Sequence, residues 1–106
     1  MKKYKLIFTV PEEYTETVLQ AIGDAGAGII WEYTHCSYVI KWSWRFIPWN
    51  NAHPAIWQRW QYEKVSEDQV QVDIDEDKIF QIMKALKETH PYEQIVYDIF
   101  EKLTFE

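Results

Sequence analysis

Two segments of this chain each combine an alternating apolar pattern with a helical apolar stripe, and this repetition restricts the fold more than any other feature. Residues 3–10 alternate between apolar and polar side chains, the period-two pattern of a half-buried strand. Pro11 ends that strand, and apolar residues then recur at helical spacing over residues 14–25. The same succession returns at residues 69–74 and 79–90, so the sequence predicts two strand–helix units.

Glycine, proline and aspartate mark the boundaries of the predicted helices. Gly26 and Gly28 follow the first helix and supply a C-terminal stop. Pro91 prevents the second helix from continuing past His90. Asp75 is expected to cap the start of the second helix through its carboxylate.

The remaining segments supply the other strands. Residues 29–41 have an extended pattern that predicts two short strands or one strand with a bend near His35. Residues 42–64 lose the pattern and predict a long loop or a hairpin excursion. Residues 93–100 are apolar on both faces, which predicts a strand that is buried on two sides or meets a partner subunit.

This order of elements predicts an α+β fold, the ferredoxin-like βαββαβ sandwich, in which two helices cover one face of an antiparallel four-stranded sheet. We expect one domain over residues 1–106, since that length leaves no third layer for the other face. That face is then polar or packed against copies of the chain. Ile7, Val96 and Phe100 favour packing, and hence a homo-oligomer.

Charge and composition exclude several classes of function. The formal net charge of -6 disfavours nucleic acid and anionic membranes as partners, because both select basic surfaces. We see no signal peptide or spanning helix and expect a cytoplasmic protein. The acidic residues between Glu63 and Asp77 are interpreted mainly as a solvated face and a helix start.

No catalytic or cofactor motif is recognisable, so we predict no enzyme and no cofactor. His35 and Cys36 are adjacent, and adjacent side chains of a strand point to opposite faces, so both could bind one metal ion only across a kink. No oxyanion hole or orienting third group accompanies Cys36 as a nucleophile. The glycines at 23–28 follow a helix and precede a strand, the reverse of the dinucleotide-binding order.

Six short motifs are distributed over nearly the whole chain. They are V-P-E-E at 10–13, A-G-A-G at 25–28, H-C-S at 35–37, R-F-I-P at 45–48, H-P at 53–54 and H-P-Y-E at 90–93. In this order and spacing they resemble the YqfO domain, which is inserted in bacterial Nif-three-like proteins and also occurs as a free-standing protein. The last motif is also similar to that of CutA proteins, trimeric relatives of the PII signalling fold. The dinuclear metal site of Nif-three-like proteins belongs to their flanking domain and is not carried over.

The resemblance implies a PII/CutA-like binding or regulatory module that self-associates, with a trimer favoured and a small ligand left open. The positions carried over as ligand-binding or interface residues are His35, Cys36, Arg45, Phe46, Pro48, Pro54, His90, Tyr92 and Glu93. The alternative is a CutA-like protein that binds divalent metal across subunits through His35, Cys36 or His90.

Tryptophan and glycine are distributed abnormally: the chain has six tryptophans and three glycines. In the family that the chain resembles, glycine usually stands at the positions of Trp31, Trp42, Trp44, Trp57 and Trp60. One hypothesis is a recoded codon, in which the source reads UGA as glycine and the gene is translated here with tryptophan. The alternative is selection for an aromatic surface that stacks on a ligand.

The recoding hypothesis predicts the intact mass of the protein from its native source. We expect a mass lower than that of the printed sequence by five tryptophan-to-glycine differences, because Trp49 does not stand at a usual glycine position. Mass spectrometry of the native protein measures this directly, and a mass matching six tryptophans would contradict the hypothesis.

Overall fold

The computed structural model describes residues 1–49 and 61–105, which form a four-stranded antiparallel sheet with two helices packed on one face. The strands are β1 (Lys3–Val10), β2 (Tyr38–Phe46), β3 (Glu63–Asp75) and β4 (Tyr97–Lys102), and the helices are α1 (Thr15–Asp24) and α2 (Ile79–Thr89). Their order in the sheet is β2-β3-β1-β4. This is the predicted ferredoxin-like arrangement, and the fold prediction is confirmed. In the described part of the chain, no helix has the length and apolar character needed to cross a membrane.

The hydrophobic core lies between the sheet and the helices, where the two apolar periodicities meet. The register of β1 against β3 pairs Leu6 with Val72 and Phe8 with Val70, which places both apolar rows on one face. The buried apolar side chains are Leu6, Phe8, Val10, Val18, Ile22, Ala27, Val70, Val72, Ile74, Ile82 and Leu86. The strand and helix stripes predicted from the sequence are therefore the residues that form the core.

The helix boundaries agree with the predicted stops but not with the predicted cap. Gly26 and Gly28 have φ values of 111° and 81°, the left-handed conformation that ends a helix. Asp75 makes no capping hydrogen bond. Its carboxylate pairs instead with Lys3, its register partner in β1, at 2.5 Å. The predicted cap is wrong because a cross-strand cation takes the carboxylate.

The segment predicted as extended over residues 29–41 forms a strand only from Tyr38 onward. Before it, Ile30 and Tyr33 form an isolated bridge. Trp31 and His35 have positive φ values of 53° and 59°. Two left-handed residues interrupt the extended chain, so the predicted strand before Tyr38 is wrong, whereas the bend expected near His35 is present.

β2 and β3 continue into the segment that was predicted as a loop or a hairpin. Their pairing runs from Tyr38 opposite Gln71 to Phe46 opposite Glu63. The pairing of β1 with β3 ends at Val10 opposite Asp68, so residues 42–46 and 63–67 extend past the end of β1. We call these ten residues the projecting hairpin. They pair as antiparallel strands, and residues 50–60 lie outside the described residues, so the interpretation of the whole segment as a loop or a hairpin excursion stays a prediction.

The sheet face without helices, called the outer face below, is mixed rather than uniformly apolar. Asp73 accepts ion pairs from Lys5 at 2.8 Å and from Lys102 at 2.7 Å across β1, β3 and β4. Ile7 and Phe100 share this face with Lys5, as their register shows, and Val96 is exposed just before β4. Along β2 the outward side chains are Tyr38, Ile40, Trp42, Trp44 and Phe46. Ion pairs and apolar side chains thus lie side by side on β1 and β4, whereas the outward row of β2 is apolar and aromatic.

β4 is not buried on two sides within this chain. Ile99 packs against the core, whereas Phe100 is 56% exposed on the outer face. The first of the two alternatives for the last strand is therefore wrong for the single chain. Its contact with a partner subunit stays a prediction.

Trp31→Gly is expected to stabilise the protein. A left-handed residue other than glycine costs roughly 1–2 kcal/mol, and the indole is 80% exposed, so the packing lost with it is mainly the edge-to-face contact with Tyr33. We expect the free energy of unfolding in urea, followed by far-ultraviolet circular dichroism, to rise by about 1 kcal/mol.

Trp42→Gly is the matched control, since Trp42 lies in the extended backbone of β2. There glycine should lower the free energy of unfolding by at least roughly 0.5–1 kcal/mol, because it orders poorly within a strand and the edge-to-face contact with Trp44 is lost. Destabilisation by Trp31→Gly of the same size as in the control would contradict the argument from backbone conformation.

Candidate functional site

The end of α2 carries a buried histidine that bonds to the end of β1. His90 is 7% exposed, and its Nε2 lies 2.8 Å from the carbonyl oxygen of Thr9. Its Nδ1 accepts a hydrogen bond from the backbone N–H of Tyr92 at 3.2 Å. These partners assign the neutral tautomer with its proton on Nε2. The pairing of β1 with β4 ends at Phe8. The carbonyl of the next residue, Thr9, therefore receives its hydrogen bond from the His90 imidazole instead of from β4.

Tyr92 connects this histidine to a buried carboxylate in the projecting hairpin. The Tyr92 ring packs against the imidazole with centroids 5.1 Å apart, and its hydroxyl donates to Oε2 of Glu67. Glu67 is 2% exposed. Its Oε1 accepts no hydrogen bond from the residues that the structure describes. Such an oxygen is unusual, because buried polar atoms nearly always have a partner.

Trp44 contacts the same end of β1 from the other side. Its Nε1–H donates to Oγ1 of Thr9 at 2.8 Å, and its ring meets Trp42 edge to face at 5.8 Å. Thr9 therefore binds His90 through its carbonyl and Trp44 through its hydroxyl. We call Thr9, Trp44, Glu67, His90 and Tyr92 the root cluster, since they join α2, β1 and the base of the projecting hairpin.

Burial sets the protonation states in the root cluster. It lowers the pKa of His90 below its usual value, although the hydrogen bond to Thr9 and the charge of Glu67 oppose the shift. Burial raises the pKa of Tyr92 far above its usual value, and the hydrogen bond to Glu67 acts in the same direction. At neutral pH the cluster therefore contains a neutral imidazole and a phenol that stays protonated.

The H-C-S motif lies outside the root cluster, where its residues contact the end of α1 and the loop that follows it. His35 Nε2 lies 2.9 Å from Oδ1 of Asp24, and this hydrogen bond lowers the pKa of that carboxyl. The imidazole packs so closely on Gly23 that a Cβ there would collide with it. The backbone N–H of Cys36 donates to the carbonyl of Gly28 at 2.9 Å. These contacts give both motif residues a structural role.

The metal-binding alternative gains no support from this geometry. His35 has the kinked backbone that shared binding with Cys36 would need, but its ring nitrogens are engaged by Asp24 and Thr34. Both nitrogens of His90 are engaged as well. Within residues 1–49 and 61–105, no three His, Cys, Asp or Glu side chains gather as metal ligands. Metal binding by this chain stays a prediction.

The other predicted site residues are dispersed. Arg45 is exposed in β2 opposite Lys64, and Phe46 is half-buried at the end of that strand. Pro48 is buried beyond β2, and Glu93 is exposed between α2 and β4. Pro54 lies outside the described residues, as do Trp57 and Trp60. Of the predicted positions, the structure brings only His90 and Tyr92 into the root cluster.

Sequence reasoning missed Glu67, because the acidic run was interpreted as a solvated face. Glu67 and Asp68 are both buried, and Asp68 accepts hydrogen bonds from Thr15 at 2.7 Å and Lys41 at 3.1 Å. The alternation of apolar and polar residues in β3 could have revealed this burial. If that alternation is extended backward from Val70, Asp68 lies on the helix face and Glu67 on the outer face. That extension requires knowing that β3 begins at Glu63.

Comparisons with known proteins place the chain within larger relatives. No family model matches it. It is 36% identical over 96 residues to the GTP cyclohydrolase 1 type 2 homolog of Mycobacterium bovis, covering 91% of this chain and 25% of that protein. The protein of the same name from Bacillus subtilis is also 36% identical, with 91% and 26% covered. The chain thus spans about a quarter of the length of these curated relatives.

Solved structures show the same relationship and the wider fold. A Bacillus cereus protein related to NIF3 superposes with a TM-score of 0.84 at 31% identity, covering 95% of this chain and 26% of that one. CutA from Synechococcus elongatus gives 0.71 at 16% identity, with 96% and 78% covered. CutA1 from Pyrococcus horikoshii gives 0.71 at 15% identity, with 97% and 86% covered.

The chain has an α+β ferredoxin-like fold, which it shares with the CutA proteins. The proteins that are similar in sequence, at 31% and 36% identity, form a smaller group than the proteins that share the fold. Over most of its length the chain is a small domain similar to one part of the longer Nif3-related proteins.

The buried His90 predicts that the protein loses stability on mild acidification. A histidine whose folded-state pKa is lowered contributes full stability above its unfolded-state pKa of about 6.5, and this is lost as pH falls through that value. Between about pH 7 and pH 5 we expect the free energy of unfolding in urea to fall by at most about 1.4 kcal/mol per pH unit for this one proton.

His90→Gln should flatten that dependence, since glutamine does not titrate. His35→Gln is the matched control, because His35 is exposed and lies outside the root cluster. If the slope survived in His90→Gln and disappeared in His35→Gln, the assignment to His90 would be wrong.

Proposed function

We propose that the chain is a non-enzymatic PII/CutA-like binding or regulatory module that self-associates through the outer face and the β2 edge. The observation that carries this proposal is the position of β2. It is the edge strand next to β3, and its outward row contains exposed Tyr38 and Ile40. An edge strand with apolar side chains and free backbone groups is a ready partner for another strand.

The second edge of the sheet supplies the complementary surface. β4 is the other edge strand and carries exposed Asp98, whereas β2 carries exposed Arg45. Pairing β2 of one copy with β4 of the next is head-to-tail, and such contacts form a closed ring where the rotation between copies closes. The resemblance to CutA proteins favours three copies in that ring.

The root cluster is the proposed regulatory centre rather than an active site. Both nitrogens of His90 already hold hydrogen bonds, and burial keeps the Tyr92 phenol protonated. Neither group is thus available as a base at neutral pH. The curated relatives named GTP cyclohydrolase 1 type 2 homolog are about four times as long, and we propose that this domain contributes binding to them rather than catalysis.

Size-exclusion chromatography with light scattering tests the assembly. The unaltered chain should elute as an oligomer, with a trimer expected. Ile40→Lys should shift it to monomer, because it places a charge in the apolar row of β2 at a side chain that is 44% exposed.

Phe80→Lys is the matched control. Phe80 is also apolar and even more exposed, at 84%, but it lies on α2, on the helix side of the sheet. It should leave the oligomer intact. A monomeric unaltered chain, or dissociation by Phe80→Lys alone, would contradict assembly through the outer face.

A further inference from the structure

Glu67 Oε1 is the one buried side-chain oxygen of the root cluster that lacks a donor among the described residues. The atom is also closed to solvent. A ligand that arrives from outside is therefore poorly placed to supply the donor. A group that already lies inside the cluster is better placed, and the imidazole of His90 packs on the Tyr92 ring whose hydroxyl donates to Glu67.

The hydrogen bonds of His90 fit only its neutral form. Nε2 donates to the Thr9 carbonyl, and that contact is compatible with either protonation state. Nδ1 is an acceptor for the Tyr92 backbone N–H. On protonation Nδ1 becomes a donor, so two N–H groups would face each other at this contact. Protonation thus breaks one defined interaction and leaves the other.

The groups facing His90 offer one negative acceptor for the new donor. From β1 and α2 the neighbours are the backbone carbonyls of Thr9 and Leu86. From the segment after α2 there is Tyr92, whose hydroxyl is held by Glu67 and whose pKa also responds to Glu13 in the turn before α1. From β3 there is the carboxylate of Glu67, which reaches the imidazole's side of the cluster through its hydrogen bond with the Tyr92 ring packed there.

We propose that His90, Tyr92 and Glu67 form a proton-operated switch between the segment after α2 and the projecting hairpin. One proton from solvent adds to Nδ1 of His90. The imidazolium then turns its Nδ1–H from the Tyr92 backbone to Oε1 of Glu67, while Nε2–H remains on Thr9. The contact between the Tyr92 segment and the imidazole opens, and Glu67 becomes paired with a cation.

Trp44 reports on this change because it shares Thr9 with His90. A shift of the imidazole alters the position of Thr9, and with it the hydrogen bond from the indole N–H to the threonine hydroxyl. The switch would therefore connect protonation at the end of α2 to a residue of β2 on the outer face. It requires no assembly and is independent of the proposed self-association.

Nuclear magnetic resonance of the full chain tests the switch without relying on a destabilised variant. The histidine ring signals and the Trp44 indole N–H signal are followed from pH 8 to pH 5. We expect the Trp44 signal to shift with the same midpoint as His90. A Trp44 signal that stays constant while His90 titrates would overturn the proposal.

Two variants sharpen the assignment. Glu67→Gln keeps an acceptor for Tyr92 but removes the charge, so the common midpoint of His90 and Trp44 should move to lower pH. An unchanged midpoint in Glu67→Gln would overturn the repartnering step. His35→Gln removes an exposed imidazole outside the cluster and should leave the Trp44 transition as it is; its loss there would overturn the role of His90.

Discussion

The antiparallel register between β1 and β3 is the constraint on which the other positions depend. It aligns Leu6 with Val72 and Phe8 with Val70, so that one face of the sheet can be closed by α1 and α2. A slip of one residue would reverse both rows and expose the core, which gives this register a large energetic advantage. Because it ends at Val10 opposite Asp68, the remainder of β3 must continue beside β2 alone. The projecting hairpin and the root cluster at its base both follow from that end point.

The parts of the structure that follow from local pattern could be predicted from the sequence. Alternation at residues 3–10 and the helical stripes depend on side chains near one another in the chain, and these became the core. Asp75 and Glu67 could not be predicted in this way. Lys3 and Tyr92, which determine their environments, are distant in sequence and meet them only in the folded sheet. His90 and Tyr92 were found through a motif, whereas their partner was missed because its burial depends on the length of β3.

The backbone separates the tryptophans into two kinds. Trp31 adopts a left-handed conformation that glycine reaches freely, and its exposed indole gains little to offset the strain. Trp42 and Trp44 lie in an extended strand, where aromatic residues are favoured, and Trp44 makes a defined hydrogen bond. The backbone conformation therefore favours the recoding hypothesis, in which the native residue is glycine, most directly at position 31. At positions 42 and 44, glycine would leave the outer face less aromatic and the end of β1 less covered.

The free-energy cost of burying the Glu67 carboxylate bears on whether the root cluster only stabilises the fold. Removing a carboxylate from water costs several kcal/mol even after relaxation, and a nearby cation or several donors are needed to offset it. Among the described residues, Glu67 receives one donor, the Tyr92 hydroxyl, and the neighbouring imidazole is held neutral by burial. An uncharged residue of similar shape would keep the hydrogen bond without that cost. The charge is thus unnecessary for the hydrogen bond to Tyr92, which agrees with the proposal that Glu67 has a role beyond holding the fold together.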